Sequence, residues 1–535
     1  MALASRRLAF LAAAAAIALL NASLSFHNVW PTPAIRWTGE VSIEAAVCLL
    51  VLVVALPRFG PAPRALLRAL AVLWVFLVIG HYADVTTPAL YGRDINLYWD
   101  LRYMPDVAAM AARAAPLWLV VAVVAAVALI LVVLYRMFRW AFGRIVDAMT
   151  DARARLALGS LASIVVVLFA AQRVRGTAPD ESAFSRPVTE TYARQARLVA
   201  GAMRRSATIA PGPAMDADLA LARGADVFLI FIESYGAIAY ERADVAPHLQ
   251  SSRGELAAAI DAIGRRVVSA YVDSPTFGGS SWLAHVSLMS GVEVRDPETN
   301  ARLMTEKRGT MVTTFARRGY RTIALMPGLR QRWPEGAFYG FDDIYGAARL
   351  EYHGPEFGWF AIPDQFSLAR LKTLEVDAPS RPPLFVFFPT ISTHFPFSPT
   401  PPYQPDWSRI FMDHPYDGPA IVRAYAQQPN WTDFAPGYAQ AVSYTYETLA
   451  GYLRASADRD FVMIVLGDHQ PAAAVSGEGA PWSVPVHVIT SRAPILDRLR
   501  ARGFRNGLTP ARPPLGPMHT LLPILLDAFS AHPPP

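Results

Sequence analysis

The chain has 535 residues, too many for one ordinary hydrophobic core, so two or more folding units are expected. Apolar residues make up 53% and charged residues 17%, which leans toward a membrane protein. The single cysteine, Cys48, excludes an intrachain disulfide and a thiolate metal cluster. Despite a net charge of +6, no nucleic-acid partner is expected.

Arginine carries almost all the positive charge, since Lys307 and Lys372 are the only lysines, a bias of GC-rich bacterial genomes. Five apolar segments occupy 8–26, 41–57, 66–87, 115–135 and 156–174, each near the length that crosses a bilayer. Together they predict a helical membrane domain over 1–175 with about five transmembrane helices. Glu44 lies near an end of the second segment, where a headgroup-level position suits a carboxylate. Arg6 and Arg7 precede the first segment. Arg58, Arg64 and Arg68 lie between the second and third, and Arg136, Arg139, Arg144, Arg153 and Arg155 between the fourth and fifth. If all five segments span, these arginines share one side, which is then cytoplasmic. The rest of the chain is expected on the outer, periplasmic side of a bacterial inner membrane. The first segment also reads as a cleavable signal peptide.

Residues 176–222 form a linker. Within it, "YARQARLVAGAMRR" has an apolar and a basic face, suited to a helix on the membrane surface or to an ordinary packed helix. From residue 223 to 535, short β-rich runs alternate with helical patterns: "DVFLIFIE", "RVVSAYVD", "TIALMP", "PLFVFFPT", "DFVMIVLGD" and "VPVHVIT". Most are apolar throughout, the mark of strands buried on both faces in a mostly parallel sheet between helices. Active sites of such α/β domains gather at the carboxyl ends of the strands.

The strand ends carry the chemistry. The first run ends at Glu233, "VLGDHQP" delivers Asp468 and His469, and "PTISTH" leads to His394. "MPGLRQRW" leads to Arg330, Arg332 and Trp333. The second run enters "SPTFGGSSWLAHVSLMSG", where two glycines and two serines open a helix. Singly, each residue has a bland explanation: a solvent-facing carboxylate, a loop Asp-His pair, a serine that caps a helix. Together, two carboxylates, an imidazole and a hydroxyl form an oxygen and nitrogen donor set that suits Mn²⁺ or Zn²⁺. Glycine lets a substrate approach closely, and a helix start attracts anions. A hydroxyl there, beside a metal, can ionise and attack phosphorus. Ser280 is expected to cap the helix, with Trp282, Leu283, Val286 and Met289 as its core-facing stripe.

This set of residues resembles the sulfatase-like branch of the alkaline phosphatase superfamily, and most of all membrane-anchored transferases such as lipoteichoic acid synthases and phosphoethanolamine transferases. "LMSG" is similar to the end of the family's nucleophile helix, "THFPF" to its substrate-side histidine motif, "RWPEGAFYGFDDIYG" to its Trp/Arg segment and "MHTLLPILLDAF" to its C-terminal helix. The resemblance covers roughly 223–530. It implies an alkaline-phosphatase-like catalytic domain over 223–535, outside the cytoplasm, behind five membrane segments. By the same resemblance, Glu233, Ser281, Asp468 and His469 hold the metal and Ser281 is the nucleophile, where the transferases usually carry threonine. Counting back from Ser290 and Gly291 selects Ser281 over Ser280. His394 is then a proton-transfer or acceptor-binding residue, and Arg330, Arg332, Trp333 and His394 are substrate-binding. His519 lies in the C-terminal segment without an evident role.

The expected activity is transfer of a phosphoglycerol or phosphoethanolamine type of headgroup from a membrane lipid to an envelope glycan or lipid, through a phosphoserine. The alternative is a sulfatase-like hydrolase of phosphate or sulfate esters. Formylglycine-dependent sulfatases need a Cys/Ser-x-Pro/Ala-Ser-Arg sequence, and "SWLAH" lacks it.

Overall fold

The structure is a computed structural model that describes residues 2–60, 62–114, 116–175, 183–204 and 209–532. The chain divides into two compact units. One comprises Met1–Leu90 and Asp94–Ser206, the other Tyr91–Arg93 and Ala207–Pro535.

The first unit is helical: α1 (Ala2–Ala22), α2 (Ile43–Phe59), α3 (Arg64–Tyr91), α4 (Leu97–Ala114), α5 (Leu117–Ala148), α6 (Ala152–Arg175) and α7 (Val188–Arg204). A short hairpin, β1 (Phe26–Asn28) and β2 (Ile35–Trp37), follows α1. Among the described residues only α3, α5 and α6 are long and apolar enough to cross a membrane. Three of the five expected spans are thus met by length and composition. The first apolar segment forms helix only to Ala22 before the chain turns into the hairpin, and α2 has 17 residues. At 1.5 Å per residue, α2 is about 26 Å long against a hydrocarbon core of about 30 Å. Helix α1 packs on α5, and α2 on α6. Gly159 permits the second contact, because a Cβ there would sit 3.2 Å from Val53. Trp74 stands edge-on to Phe138 and Phe142 in this core.

Glu44 is buried in the first turn of α2, where it accepts the Ser42 hydroxyl at 3.0 Å and the Thr189 N–H at 3.3 Å. The basic-apolar helix of the linker is α7, and it is packed within this unit. Tyr192 lies over Gly80, Arg194 pairs with buried Asp84 at 2.8 Å, and Gln195 bonds the backbone of Ile95 and Leu97. Of the rest of the linker, 176–182 and 205–208 lie outside the described residues.

The second unit is built on one eight-stranded sheet: β3 (Asp226–Ile232), β4 (Arg266–Asp273), β5 (Arg321–Met326), β6 (Asp343–Gly346), β7 (Leu384–Pro389), β8 (Phe461–Gly467), β9 (Ser483–Thr490) and β10 (Arg505–Asn506). Their spatial order is β10-β4-β9-β8-β3-β7-β5-β6. The run β8-β3-β7-β5-β6 is parallel, while β9 is antiparallel to both β8 and β4, and β10 to β4. The sheet is therefore mixed, mostly parallel. Apolar runs conceal strand direction, because burial on two faces is the same for either polarity.

The wholly apolar strands serve both faces. Phe228, Ile230 and Ile232 of β3 enter one core with α8 (Gln250–Ala262), α10 (Asp364–Leu371) and α11 (Ala435–Ala455). Val227, Leu229 and Phe231 enter the other, with α9 (Ser281–Ser290) and α12 (Leu521–Phe529). Two antiparallel steps restore direction, so β4 runs the same way as β3 and β8. The carboxyl ends of β3, β4, β7 and β8 thus share one edge.

Candidate active site

At that edge Ser281 Oγ donates to Glu233 Oε2 at 2.7 Å and lies 3.2 Å from His469 Nε2. His469 Nε2 is 3.4 Å from Glu233 Oε1 and 3.8 Å from Asp468 Oδ2. Residues from three distant segments therefore converge on one point. Asp468 and His469 are each 1% exposed, and Glu233 keeps 13% of its side chain open.

Each group is held by local backbone chemistry. Glu233 ends β3, and the next residue, Ser234, adopts φ 57°, turning the chain sharply away. The Glu233 N–H donates to Thr390 Oγ1 at 3.1 Å, and Ser234 Oγ donates to Glu233 Oε1 at 3.0 Å. Asp468 Oδ1 accepts the N–H groups of Ser234 at 2.8 Å and His469 at 2.6 Å. His469 Nδ1–H donates to the Gln470 carbonyl at 2.7 Å, so the Nε2 lone pair faces Ser281 and the carboxylates. Gly467 lets the two loops close, since a Cβ there would fall 1.8 Å from the Tyr235 carbonyl oxygen.

Ser281 opens α9 after Gly278 (φ 66°) and Gly279 (φ 143°). Ser280 stands at the cap position, but its φ of 61° is left-handed and its side chain makes no cap hydrogen bond. The expectation of a capping Ser280 is thus corrected. Side-chain capping needs an extended backbone, which this turn forbids. A non-glycine residue in this region stores strain, as active-site turns often do. His285, one turn behind Ser281, packs against Phe231 and Phe387, and burial pushes its pKa down to about 3.

The two carboxyls titrate in opposite directions. Burial pushes Glu233 up, but the His469 and His394 imidazoles, when protonated, and hydrogen bonds from Asp468 and Ser281 act the other way and lower it below the ordinary carboxylate range. Burial, then the Glu233 charge, pushes Asp468 well above the carboxylate range. Two acids this close share one proton, and a divalent cation can replace it. Glu233, Asp468 and His469 each offer a ligand atom within 4.8 Å of the others, so the donor set fits a metal ion.

His394 follows β7. Its Nδ1–H donates to the Phe395 carbonyl at 2.8 Å, which leaves Nε2 for a partner, and Phe360 stands edge-on at 5.0 Å. A small cavity beside it is lined by Trp359, Phe360, Ile391 and Ser392, among others. Arg330 and Arg332 are exposed, and Arg330 Nη2 donates to the Trp359 carbonyl at 2.8 Å. Trp333 is packed in an aromatic stack on Tyr339 and Phe341. His519 sits in the turn before α12, with Nδ1 buried and unpartnered. Sequence reasoning missed Ser234 and Thr390, which hold Glu233, although Thr390 directly follows a strand and was open to the same rule that found Glu233.

Residues 285–485 match the Sulfatase family model. The match includes His394, Asp468 and His469 and begins just past Ser281. Among solved structures, the chain is similar to the lipooligosaccharide phosphoethanolamine transferase EptA of Neisseria meningitidis (14% identity, 84% of this chain and 81% of that one, TM-score 0.44). It is also similar to the lipoteichoic acid synthase LtaP of Listeria monocytogenes (14%, 54% and 69%, TM-score 0.36) and to the phosphoglycerol transferase GacH of Streptococcus pyogenes in complex with sn-glycerol-1-phosphate (12%, 64% and 82%, TM-score 0.35). No curated protein is a significant match.

Proposed function

We propose that this protein is a membrane-anchored, metal-dependent phosphotransferase that moves a phosphoglycerol or phosphoethanolamine type of headgroup from a lipid donor to an envelope glycan or lipid. The observation that carries this reading is the Ser281 hydroxyl at a helix start, hydrogen-bonded at 2.7 Å to a carboxylate of a metal-type donor cluster.

Glu233, Asp468 and His469, with Ser281, would hold the Mn²⁺ or Zn²⁺ ion, whose chemistry there is to acidify the Ser281 hydroxyl and offset phosphoryl charge. Ser281 Oγ, its proton lost to solvent, attacks phosphorus from its place beside Glu233 Oε2. The bond from phosphorus to the lipid oxygen breaks, leaving the phospho-headgroup on serine. With Nδ1–H committed to Phe395, His394 works through Nε2. As a cation it protonates the leaving oxygen, and as a neutral ring it accepts the proton of the incoming acceptor hydroxyl. Arg330 and Arg332 offer exposed guanidiniums to the negative substrate, and Trp333 supports their segment from its aromatic stack. If water replaces the acceptor, the same steps make a phosphodiesterase. The family match also keeps sulfate-ester hydrolysis open as a second reading.

Lipid mass spectrometry of a deletion strain against wild type tests the transferase reading. Loss of a headgroup-modified glycan or lipid is expected, and an unchanged envelope overturns it. Turnover of p-nitrophenyl phosphate esters without turnover of the sulfate separates it from the sulfatase reading. On the arginine distribution, the C-terminal unit lies in the periplasm. Alkaline phosphatase fused after residue 222 is then active and a GFP fusion dark.

A further inference from the structure

Asp364 is 1% exposed, and no cation pairs with it among the described residues. A buried, unpaired carboxylate is costly unless local donors satisfy it. Its donors are two consecutive amides of the loop after β7: the Ile391 N–H to Oδ1 at 2.9 Å and the Ser392 N–H to Oδ2 at 2.9 Å. In return, the Asp364 N–H donates to Ser392 Oγ at 3.3 Å. Asp364 itself cannot wander. It is the first residue of α10, and the helix that follows is buried from Gln365 through Ala369.

The clamped loop is the one that carries substrate-side chemistry. The His394 N–H donates to the Ile391 carbonyl at 3.1 Å, closing a turn whose first two amides are the ones Asp364 grips. At the other end of the loop, the Thr390 N–H donates to the Phe231 carbonyl at 2.8 Å, and Thr390 Oγ1 accepts the Glu233 N–H. The five residues 390–394 thus couple Glu233 to His394, and Asp364 fixes the middle. We infer that Asp364 is a positioning residue, whose two oxygens set the turn that aims His394 at the phosphoryl centre. This rests on the phosphotransfer reading for its activity measurement only.

Asp364→Asn keeps size and one acceptor, but its NH₂ group meets a backbone N–H. In the full chain in detergent, turnover of a phosphodiester is expected to fall about 10- to 100-fold, the effect of slightly misplacing a reacting group. Mn²⁺ and Zn²⁺ affinity is expected to stay within about twofold, because the metal-type ligands stand on other loops. In a His394→Ala background, Asp364→Asn should cost nothing further. Hydrogen exchange should quicken in the peptide carrying 390–394 and nowhere else. Equal losses in both backgrounds, or metal affinity that falls with activity, would overturn the assignment. If Asp364→Asn does not fold, Asp364→Glu, which keeps both oxygens and the charge, takes its place in the same cycle. If the wild-type chain turns over no phosphodiester, the functional reading fails. Local exchange at 390–394 then still decides: faster exchange supports the clamp, and unchanged exchange refutes it.

Discussion

Ser281 Oγ lies 2.7 Å from Glu233 Oε2 across 48 residues of sequence, with the hydroxyl directed at the carboxylate. Neither residue needs this contact for packing, since both stand at the open edge of the sheet. Ser281→Ala is therefore expected to fold and melt within a few degrees of wild type, while turnover falls by about 10³-fold or more. Intact-mass spectra after acid quenching should show a phospho-headgroup adduct on wild type and none on the variant. An adduct that survives the substitution moves the nucleophile elsewhere.

Ser280 has no cap bond to lose. Ser280→Ala is expected to cost less than about 1 kcal/mol, the usual value of a true cap, and to stay active. At φ 61°, a β-branched side chain is far less tolerated, so Ser280→Val should be clearly less stable than Ser280→Ala. Thermal melts of the pair check the left-handed turn. Equal melting points would mean that the backbone there relaxes at no cost.

The wall facing Gly467 is backbone: the added methyl of Gly467→Ala would sit 1.8 Å from the Tyr235 carbonyl oxygen. That clash pushes the loop of Glu233 away from the loop of Asp468 and His469. A loss of about 1–3 kcal/mol is expected, with weakened Mn²⁺ and Zn²⁺ binding by titration calorimetry. Native metal affinity in this variant would show that the two loops move independently.

His487 is buried with both nitrogens used. Nδ1 donates to Ser269 Oγ at 2.6 Å, because the Ser269 hydroxyl donates onward to the Gly507 carbonyl. Nε2 then accepts from the Tyr235 or Tyr240 hydroxyl at 3.2 Å. Burial, aided by Arg253, lowers its pKa from 6.5 to about 3. Above pH 6.5 the ring is neutral in native and unfolded chains alike. As pH falls from 6.5 toward 3, only the unfolded chain takes the proton, so stability drops by roughly 1.4 kcal/mol per pH unit. His487→Gln lacks this loss. Denaturation of both proteins at pH 7.5 and 5.5 should give a steeper decline for wild type, and parallel declines would show that the ring protonates without unfolding.

Much of the site was legible because buried strands announce themselves. Runs such as "DVFLIFIE" and "DFVMIVLGD" are apolar on both faces, and the first polar residue after each marks the edge where chemistry collects. Strand ends pointed to Glu233, Asp468, His469 and, several residues further on, His394, and the Gly-Gly-Ser-Ser turn to its serines, while the roles of these residues came from the family resemblance. The choice of Ser281 over Ser280 leaned on counting back from Ser290, and the structure places the Ser281 hydroxyl 2.7 Å from Glu233.

Length, apolar patterning and strand ends are properties of the local chain, so an apolar helical N-terminal unit, a sheet between helices and the edge that gathers the strand-end residues were readable from it. Tertiary structure decided what depends on partners brought from afar. Strand β9 is antiparallel because of its neighbours, and nothing in its own residues encodes direction. Ser280 is left-handed at the end of a glycine turn that sets Ser281 beside Glu233. Helix α7 is packed because Tyr192 finds Gly80 and Arg194 finds Asp84. Asp364 gained its grip on Ile391 and Ser392 in the same way, for a carboxylate's partners are chosen by space and not by sequence distance.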